Sequence, residues 1–152
     1  SGLMYDPQLA KVAAAAGCPV ILMHNKMDKD YRDMMSEVIE QLQESIHIAV
    51  GNGIIENQIV VDPGIGFGKT PEQNLVVLKN LADLLALGRP VLLGVSRKSF
   101  IGKITDLPPP ERTEGSLAAA VMGIMSGVAI LRVHDVKETK RAAAVVDAIM
   151  RV

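Results

Sequence analysis

The chain of 152 residues is 49% hydrophobic and 22% charged, with a formal net charge of −1. That length suits one ordinary domain with a buried core, and the apolar fraction excludes a disordered tail. The near-zero charge and the absence of Trp argue against a nucleic-acid partner, since neither a polyanion surface nor a base-stacking platform is offered.

Cys18 is the only cysteine, so no intrachain disulfide can form and a cytoplasmic, reducing setting is expected. The chain opens Ser1-Gly2-Leu3-Met4 with no charged-then-apolar leader. It therefore reads as lacking a signal peptide, and as either processed or a fragment.

Asp6-Pro7 offers an N-cap followed by proline at the first helical position, and an Ala-rich helix to Gly17 is expected. Val20–Met23, behind Pro19, forms a first strand. From Asp30 to about Val50 the residues Met34, Met35, Val38, Ile39, Leu42, Ile46 and Ala49 mark one face of a long helix. Ile59–Val61 forms a second strand, behind Asn57. Thr70-Pro71-Glu72-Gln73 reads as a capping box, with a helix continuing through Leu85 until Gly88.

Val91–Leu93 forms a third strand behind Pro90. The apolar run from Leu117 to Leu131 contains Gly123 and Gly127 in a GxxxG arrangement, but Ser126 interrupts it. It falls short of the roughly 20 residues a bilayer core needs, so it reads as a buried helix running into a strand, and no membrane association is expected. Val128–Val133 is that fourth strand. Asp135, with Glu138 three residues on, opens a last helix through Met150.

The pattern is an initial helix and four βα units, read as a single domain over residues 1–152. Each strand is followed at once by chemically loaded residues: His24-Asn25-Lys26, Asp62-Pro63-Gly64, Ser96-Arg97-Lys98, and Arg132, His134 and Asp135. Polar groups gathered at strand C-termini mark the working face of a (β/α)8 barrel or the crevice of an open doubly wound sheet. Four units make half of an eight-unit barrel, which favours the fragment reading.

Three stretches carry the chemistry. Asp62-Pro-Gly-Ile-Gly-Phe-Gly-Lys-Thr70 looks like a phosphate loop but is not one, because Pro63 stands where a Walker A motif needs glycine. Lys69 breaks the dinucleotide fingerprint in the same way. The stretch reads either as a tight βα turn or as a ligand loop. In the second case the Asp62 carboxylate accepts paired hydrogen bonds from the amidine-like edge of a heterocycle, and the glycines admit a flat ligand to the backbone.

Gly94-Val-Ser-Arg-Lys-Ser-Phe-Ile-Gly102 puts Lys98 and Ser99 at the start of a short helix, either a solvated basic turn or an anion site. Arg132-Val-His-Asp135 places Arg132 and His134 on one side, a phosphate or diphosphate clamp. His24 reads as hydrogen-bonded scaffold rather than a ligand, and His47 as helix surface. No zinc-ligand spacing and no nucleophile elbow are present.

Taken together, Ile21-Leu-Met-His24, Asp62 to Lys69, Gly94 to Gly102 and Arg132-Val-His-Asp-Val136 resemble dihydropteroate synthase. The resemblance covers essentially the whole chain, with Ser1-Gly2 following the family's fourth strand. It implies an α/β fold of the (β/α)8 TIM-barrel type, present as roughly a half-barrel holding strands five to eight.

That family condenses hydroxymethyl-dihydropterin diphosphate with p-aminobenzoate in folate biosynthesis and releases pyrophosphate; sulfonamides compete for the aminobenzoate site. By motif position the resemblance assigns the pterin to Met23, Asp62, Phe67, Gly94 and Lys98, and the diphosphate to Arg132 and His134. It assigns the aminobenzoate carboxylate to Ser99. Lys98, Arg132 and His134 would be the catalytic groups, with Mg²⁺ accompanying the diphosphate and no metal ligand in this half.

Val95 departs from the family's usual Thr, a change expected to be tolerated. The family's strands one to four, with further ligand-binding residues and mobile loops, have no counterpart here. Impaired activity of the isolated chain and a homo-oligomer formed through its exposed sheet edges are therefore expected. Two other readings are a pterin-binding methyltransferase domain and a non-catalytic half-barrel that pairs with a partner chain.

Overall fold

A computed structural model of the chain describes residues 6–152, apart from the side chain of Pro7; the Ser1-Gly2 segment lies outside the described residues. The elements in chain order are α1 (Pro7–Ala16), β1 (Val20–Met23), α2 (Met34–Gly51), β2 (Ile59–Asp62), α3 (Pro71–Lys79) and β3 (Leu92–Leu93). After these come α4 (Ser99–Thr105), α5 (Thr113–Met125), β4 (Ile130–Leu131) and α6 (Val136–Met150). A 3₁₀ segment, Leu81–Leu87, joins α3 to the approach to β3.

The strands are parallel and lie in sequence order. β1 pairs with β2 from Val20↔Ile59 to Met23↔Asp62, a bridge links Val61 to Val91, and β3 pairs with β4 at Leu92↔Ile130 and Leu93↔Leu131. A sheet of this kind needs helical crossovers on its face, and the helices supply them. Leu22, Ile59, Val61 and Leu93 point into a core shared with Val38, Leu42, Ile46 and Ala49 of α2, Val77 of α3 and Leu84 of the 3₁₀ segment.

Alternation turns Ile21, Val60, Leu92 and Ile130 to the opposite face. There Ile21 is 55% exposed and Ile130 41%, whereas Leu92 between them is buried, so this inner face is open at the two outer strands. Strands apolar on both faces are thus covered on one face only at the sheet margins.

Local capping sets several of the boundaries. Asp6 caps α1 by accepting from Gln8 N at 2.9 Å, and Gly17 ends it at φ 62°. Thr70 and Gln73 close the expected capping box, at 2.7 and 3.2 Å.

Other boundaries differ from the sequence reading. The long helix starts at Met34 because Asp33, not Asp30, caps it by accepting from Ser36 N at 3.0 Å. The helix after Thr70 ends at Lys79 instead of reaching Leu85: the Asn80 amide bonds back to Val76 O at 2.8 Å, and the chain tightens to 3₁₀ geometry. β3 and β4 are two residues each, shorter than expected, as the ladder between them covers only Leu92↔Ile130 and Leu93↔Leu131. The Leu117–Leu131 run is not a buried helix, for Met122 and Met125 of α5 are half or more exposed.

The loops after β1 and β2 interlock. Gly64 at φ 68° lies so close to the His24 carbonyl that a Cβ would overlap it, and Gly68 meets the Lys26 carbonyl in the same way. Beneath this crossing the buried Lys69 ammonium donates to His24 Nδ1 at 2.8 Å, Gly64 O at 3.0 Å and Phe67 O at 3.1 Å. Burial, and then the Lys69 charge, push the His24 pKa down to about 3. Its ring is neutral with the proton on Nε2, which has no partner among the described residues.

Two outcomes test this packing. Leu42 is fully buried, and Leu42→Ala is expected to cost about 2–5 kcal/mol in urea unfolding, with an unchanged m-value. The unfolded chain protonates His24 near pH 6.5, whereas the folded chain resists until about pH 3. Stability present above pH 6.5 is therefore lost as pH falls through that window, at up to about 1.4 kcal/mol per unit. His24→Asn is expected to flatten this slope in unfolding curves taken at stepped pH; an unaltered slope would assign the acid sensitivity elsewhere.

Candidate active site

All four strands deliver their C-terminal ends to the same end of the sheet. Met23 and Asp62 end β1 and β2 in register, and the His24 N–H donates to the Asp62 carbonyl at 2.9 Å. Gly94 to Lys98 follow β3, and Arg132 to His134 follow β4. Residues separated by over a hundred positions thus share one cleft.

Asp62 is the buried centre of this end, 4% exposed. Its Oδ1 accepts from Gly64 N at 2.7 Å, which leaves acceptor capacity on the other oxygen. Burial raises its pKa, while the Gly64 hydrogen bond and the charges of Arg132, Lys98 and Lys69 pull it back. Lys98 is shifted down by burial and then by the Arg132 charge, with Asp62 opposing. With these cations around one carboxylate, the cleft has a positive excess that favours an anionic ligand.

Lys98 lies over the Phe67 ring, its ammonium 4.4 Å from the centroid. A Cβ on Gly66 would sit 3.3 Å from Lys98 Nζ, so the small residue gives the lysine its path across the turn. The partly exposed Phe67 thereby presents a flat apolar surface beside Asp62 and Lys98. The tip of the turn is tied down by Asn74 Oδ1, which accepts from Gly66 N at 2.7 Å.

The other side of the cleft is built on Gly94, Ser96, Arg132, Val133 and His134, which line a hollow of about 290 Å³. A Cβ at Gly94 would come within 3.0 Å of Arg132 Nη2, so the absence of a side chain there lets the guanidinium lie against the β3 backbone. His134 Nδ1 is 2.9 Å from Ser96 Oγ, and the same oxygen receives the His134 N–H at 3.2 Å. This contact fixes the ring and leaves Nε2 without a partner among the described residues, open to a ligand.

Met23, Asp62, Phe67, Gly94, Lys98, Arg132 and His134 therefore come together at the strand ends. Ser99 is exposed at the first position of α4, next to Lys98. His47 is exposed on α2 and touches Gln43 at 3.3 Å. His24 is scaffold bound to Lys69, in keeping with the sequence reading.

Lys69, Ser96 and Arg97 had no assigned role. The first is concealed by its place at the end of a glycine-rich loop, where a solvated lysine is the ordinary expectation. The Ser96–His134 contact joins residues on different loops. Among the described residues no three His, Cys, Asp or Glu side chains cluster as a metal site would require.

Known proteins match this chain in sequence and in fold. The family described as pterin binding enzyme matches residues 1–134. The dihydropteroate synthase of Bacillus subtilis is 47% identical over 149 residues, 98% of this chain and 52% of that protein. A crystal structure of dihydropteroate synthase from Clostridium difficile in the presence of pteroic acid has a TM-score of 0.96 at 45% identity, covering 99% of this chain and 58% of that one.

The Xanthomonas albilineans dihydropteroate synthase with 4-aminobenzoic acid gives 0.93 at 40% identity, covering 97% and 55%. The chain spans about half the length of these relatives, and its fold is the TIM-barrel type, present as a partial barrel. By sequence and by fold, this chain belongs to the pterin binding enzyme family.

Proposed function

We propose that residues 1–152 form one pterin-binding domain, the C-terminal half of a dihydropteroate synthase barrel. The reaction joins 6-hydroxymethyl-7,8-dihydropterin diphosphate to p-aminobenzoate and releases pyrophosphate. The observation that carries this reading is the buried Asp62 carboxylate set among Lys98, Arg132 and Lys69 at the strand ends. One acceptor for a heterocycle edge and a cationic wall for a diphosphate lie within one cleft. Similar proteins binding pteroic acid and 4-aminobenzoic acid favour the synthase over a methyltransferase domain.

In this reading Asp62 accepts from the 2-amino and N3 edge of the pterin, and Lys98 donates to its carbonyl side. Met23, Phe67 and Gly94 form the walls of the slot. Arg132 and His134 bind the diphosphate, and Ser99 at the start of α4 receives the aminobenzoate carboxylate. The bond from the pterin methylene carbon to the diphosphate oxygen breaks, and the electron pair leaves with pyrophosphate. The arylamine nitrogen then bonds to that carbon and loses a proton to solvent.

Lys98, Arg132 and His134 assist by stabilising charge on the departing anion and by holding the pterin in line. The neutral arylamine is already nucleophilic, so no strong base is needed. Mg²⁺ is the family's expected companion of the diphosphate, but the described residues offer no ligand set for it. No step of this chain's chemistry is assigned to the metal.

The open inner face with Ile21 and Ile130 supports a chain that associates with the rest of a barrel or with a second copy. A cytoplasmic location belongs to the same proposal; no helix among the described residues is long and apolar enough to cross a membrane.

Calorimetric titration with the pterin diphosphate, with and without Mg²⁺, tests the reading on the chain alone and on the chain mixed with the N-terminal half of the Bacillus subtilis relative. Saturable binding in at least one of these samples is expected. No heat from folded protein in either would overturn it. Asp62→Asn, which removes the charge behind two hydrogen bonds of about 1.5–3 kcal/mol each, is expected to weaken binding by at least about 100-fold while helical circular dichroism is kept. Retained affinity in that variant would make Asp62 scaffold.

A further inference from the structure

Arg97 lies between two residues of the cleft, Ser96 and Lys98, yet its own guanidinium points to a different loop. It is one of the non-glycine residues at positive φ, 57°. Its N–H donates to Ser116 Oγ of α5 at 2.9 Å, and its carbonyl accepts from Arg112 Nη1 at 3.1 Å. The side chain forms a two-pronged pair with Asp135, Nε to Oδ2 at 3.1 Å and Nη2 to Oδ1 at 2.5 Å.

Asp135 occupies the N-cap position of α6 but makes no side-chain cap there. Its carboxylate, which a helix start would ordinarily use on its own amides, is turned to Arg97 of the β3 loop and to Thr113 of α5. Three locally unfavourable choices meet at this point: a side chain at left-handed φ, an uncapped helix start, and a partly exposed ion pair of the kind worth little to stability. Their shared consequence is that the loop carrying Ser96 and Lys98 is locked to the loop carrying Arg132 and His134. The Ser96–His134 contact lies beside the same joint.

We propose that Arg97 and Asp135 are positioning residues whose pair sets the separation of Lys98 from Arg132 and His134, so that pterin and diphosphate are gripped as one rigid ligand. This rests on the synthase reading of the cleft. Arg97 does not touch the ligand; it acts through Lys98 on one side and His134 on the other. Left-handed backbone at residue 97 turns the chain so that Lys98 crosses toward Phe67 while the guanidinium turns toward α6.

The test compares two ligands, the pterin diphosphate and the pterin alcohol that lacks the diphosphate, in the same titrations as above. The ratio of their affinities reports how well the diphosphate grip is aligned with the pterin slot. Arg97→Gly relieves the backbone strain but deletes the pair, and is expected to lower that ratio about tenfold, the size of one lost charge-assisted interaction. Affinity for the alcohol should change by no more than about twofold, as for an ordinary surface substitution.

Arg97→Lys, which keeps the charge without the fork, is expected to fall between the two. If Arg97→Gly does not fold, Asp135→Asn carries the same comparison. A ratio equal to that of the parent, or an equal loss for both ligands with a lowered Tm, overturns the positioning role and leaves an ordinary structural pair. Failure of the unsubstituted protein to bind either ligand overturns the synthase reading, and this role with it.

Discussion

The ammonium of Lys69 must find acceptors where no water reaches it, and the geometry of the cleft follows from which ones it finds. An unpaired charge at that depth would be untenable, so the turn after β2 folds its Gly64 and Phe67 carbonyls inward, and the loop after β1 contributes the ring of His24. Phe67 is thereby presented to Lys98, and the crossing of the two loops becomes close enough that only glycine fits at 64 and 68. Burial holds the Lys69 pKa down to about 8, yet at neutral pH it still carries a charge that opposes the upward push of burial on the Asp62 pKa.

Charge in the cleft is arranged as a carboxylate within a ring of cations rather than as closed ion pairs. Asp62 is bound to a backbone amide, and Lys98 and Arg132 stand near it without a direct salt bridge among the described residues. Groups so placed are held apart by packing and remain available to a ligand. By contrast, Arg97 and Asp135 close a direct ion pair, and the Asp135 carboxylate also accepts from Thr113 and feels the His134 charge.

The sheet itself is finished on one side only. Its helix-facing side is a closed apolar core, whereas the inner side leaves Ile21 and Ile130 in contact with solvent at opposite margins. Strand-end chemistry nevertheless assembles without a complete ring. Three loaded loops are braced: β1's loop by Lys69, the β2 turn by Asn74, and β3's loop by α5 and Asp135. Lys69 on His24 and Arg97 on Asp135 act between adjacent βα units, while Asn74 and Ser116 hold a loop to the helices of its own unit, which is why a partial barrel can hold so much of a working face.

Much of this was legible in the sequence because its causes are local. Asp6-Pro7 and Thr70 to Gln73 bind their own helix starts, so caps two or three residues away announce them. The β-branched runs and the loaded residue after each one gave the parallel order and the common end at which Met23, Asp62, Lys98, Arg132 and His134 meet. Asp135 stands at the helix start where the sequence puts it, but its pairing with Arg97 is not visible there, since that partner lies 38 residues earlier. The end of α3 at Asn80 turned on a single amide reaching back one turn, against an apolar pattern that continued past it. Sequence by itself determined the order of the strands and the loaded residues that follow them, because alternation and capping act within a few positions, although β4 stops at Leu131, short of the expected Val133. Only the tertiary structure decided that Lys69 is buried and that Arg97 braces two loops, because burial and ion pairing depend on which distant loop arrives alongside.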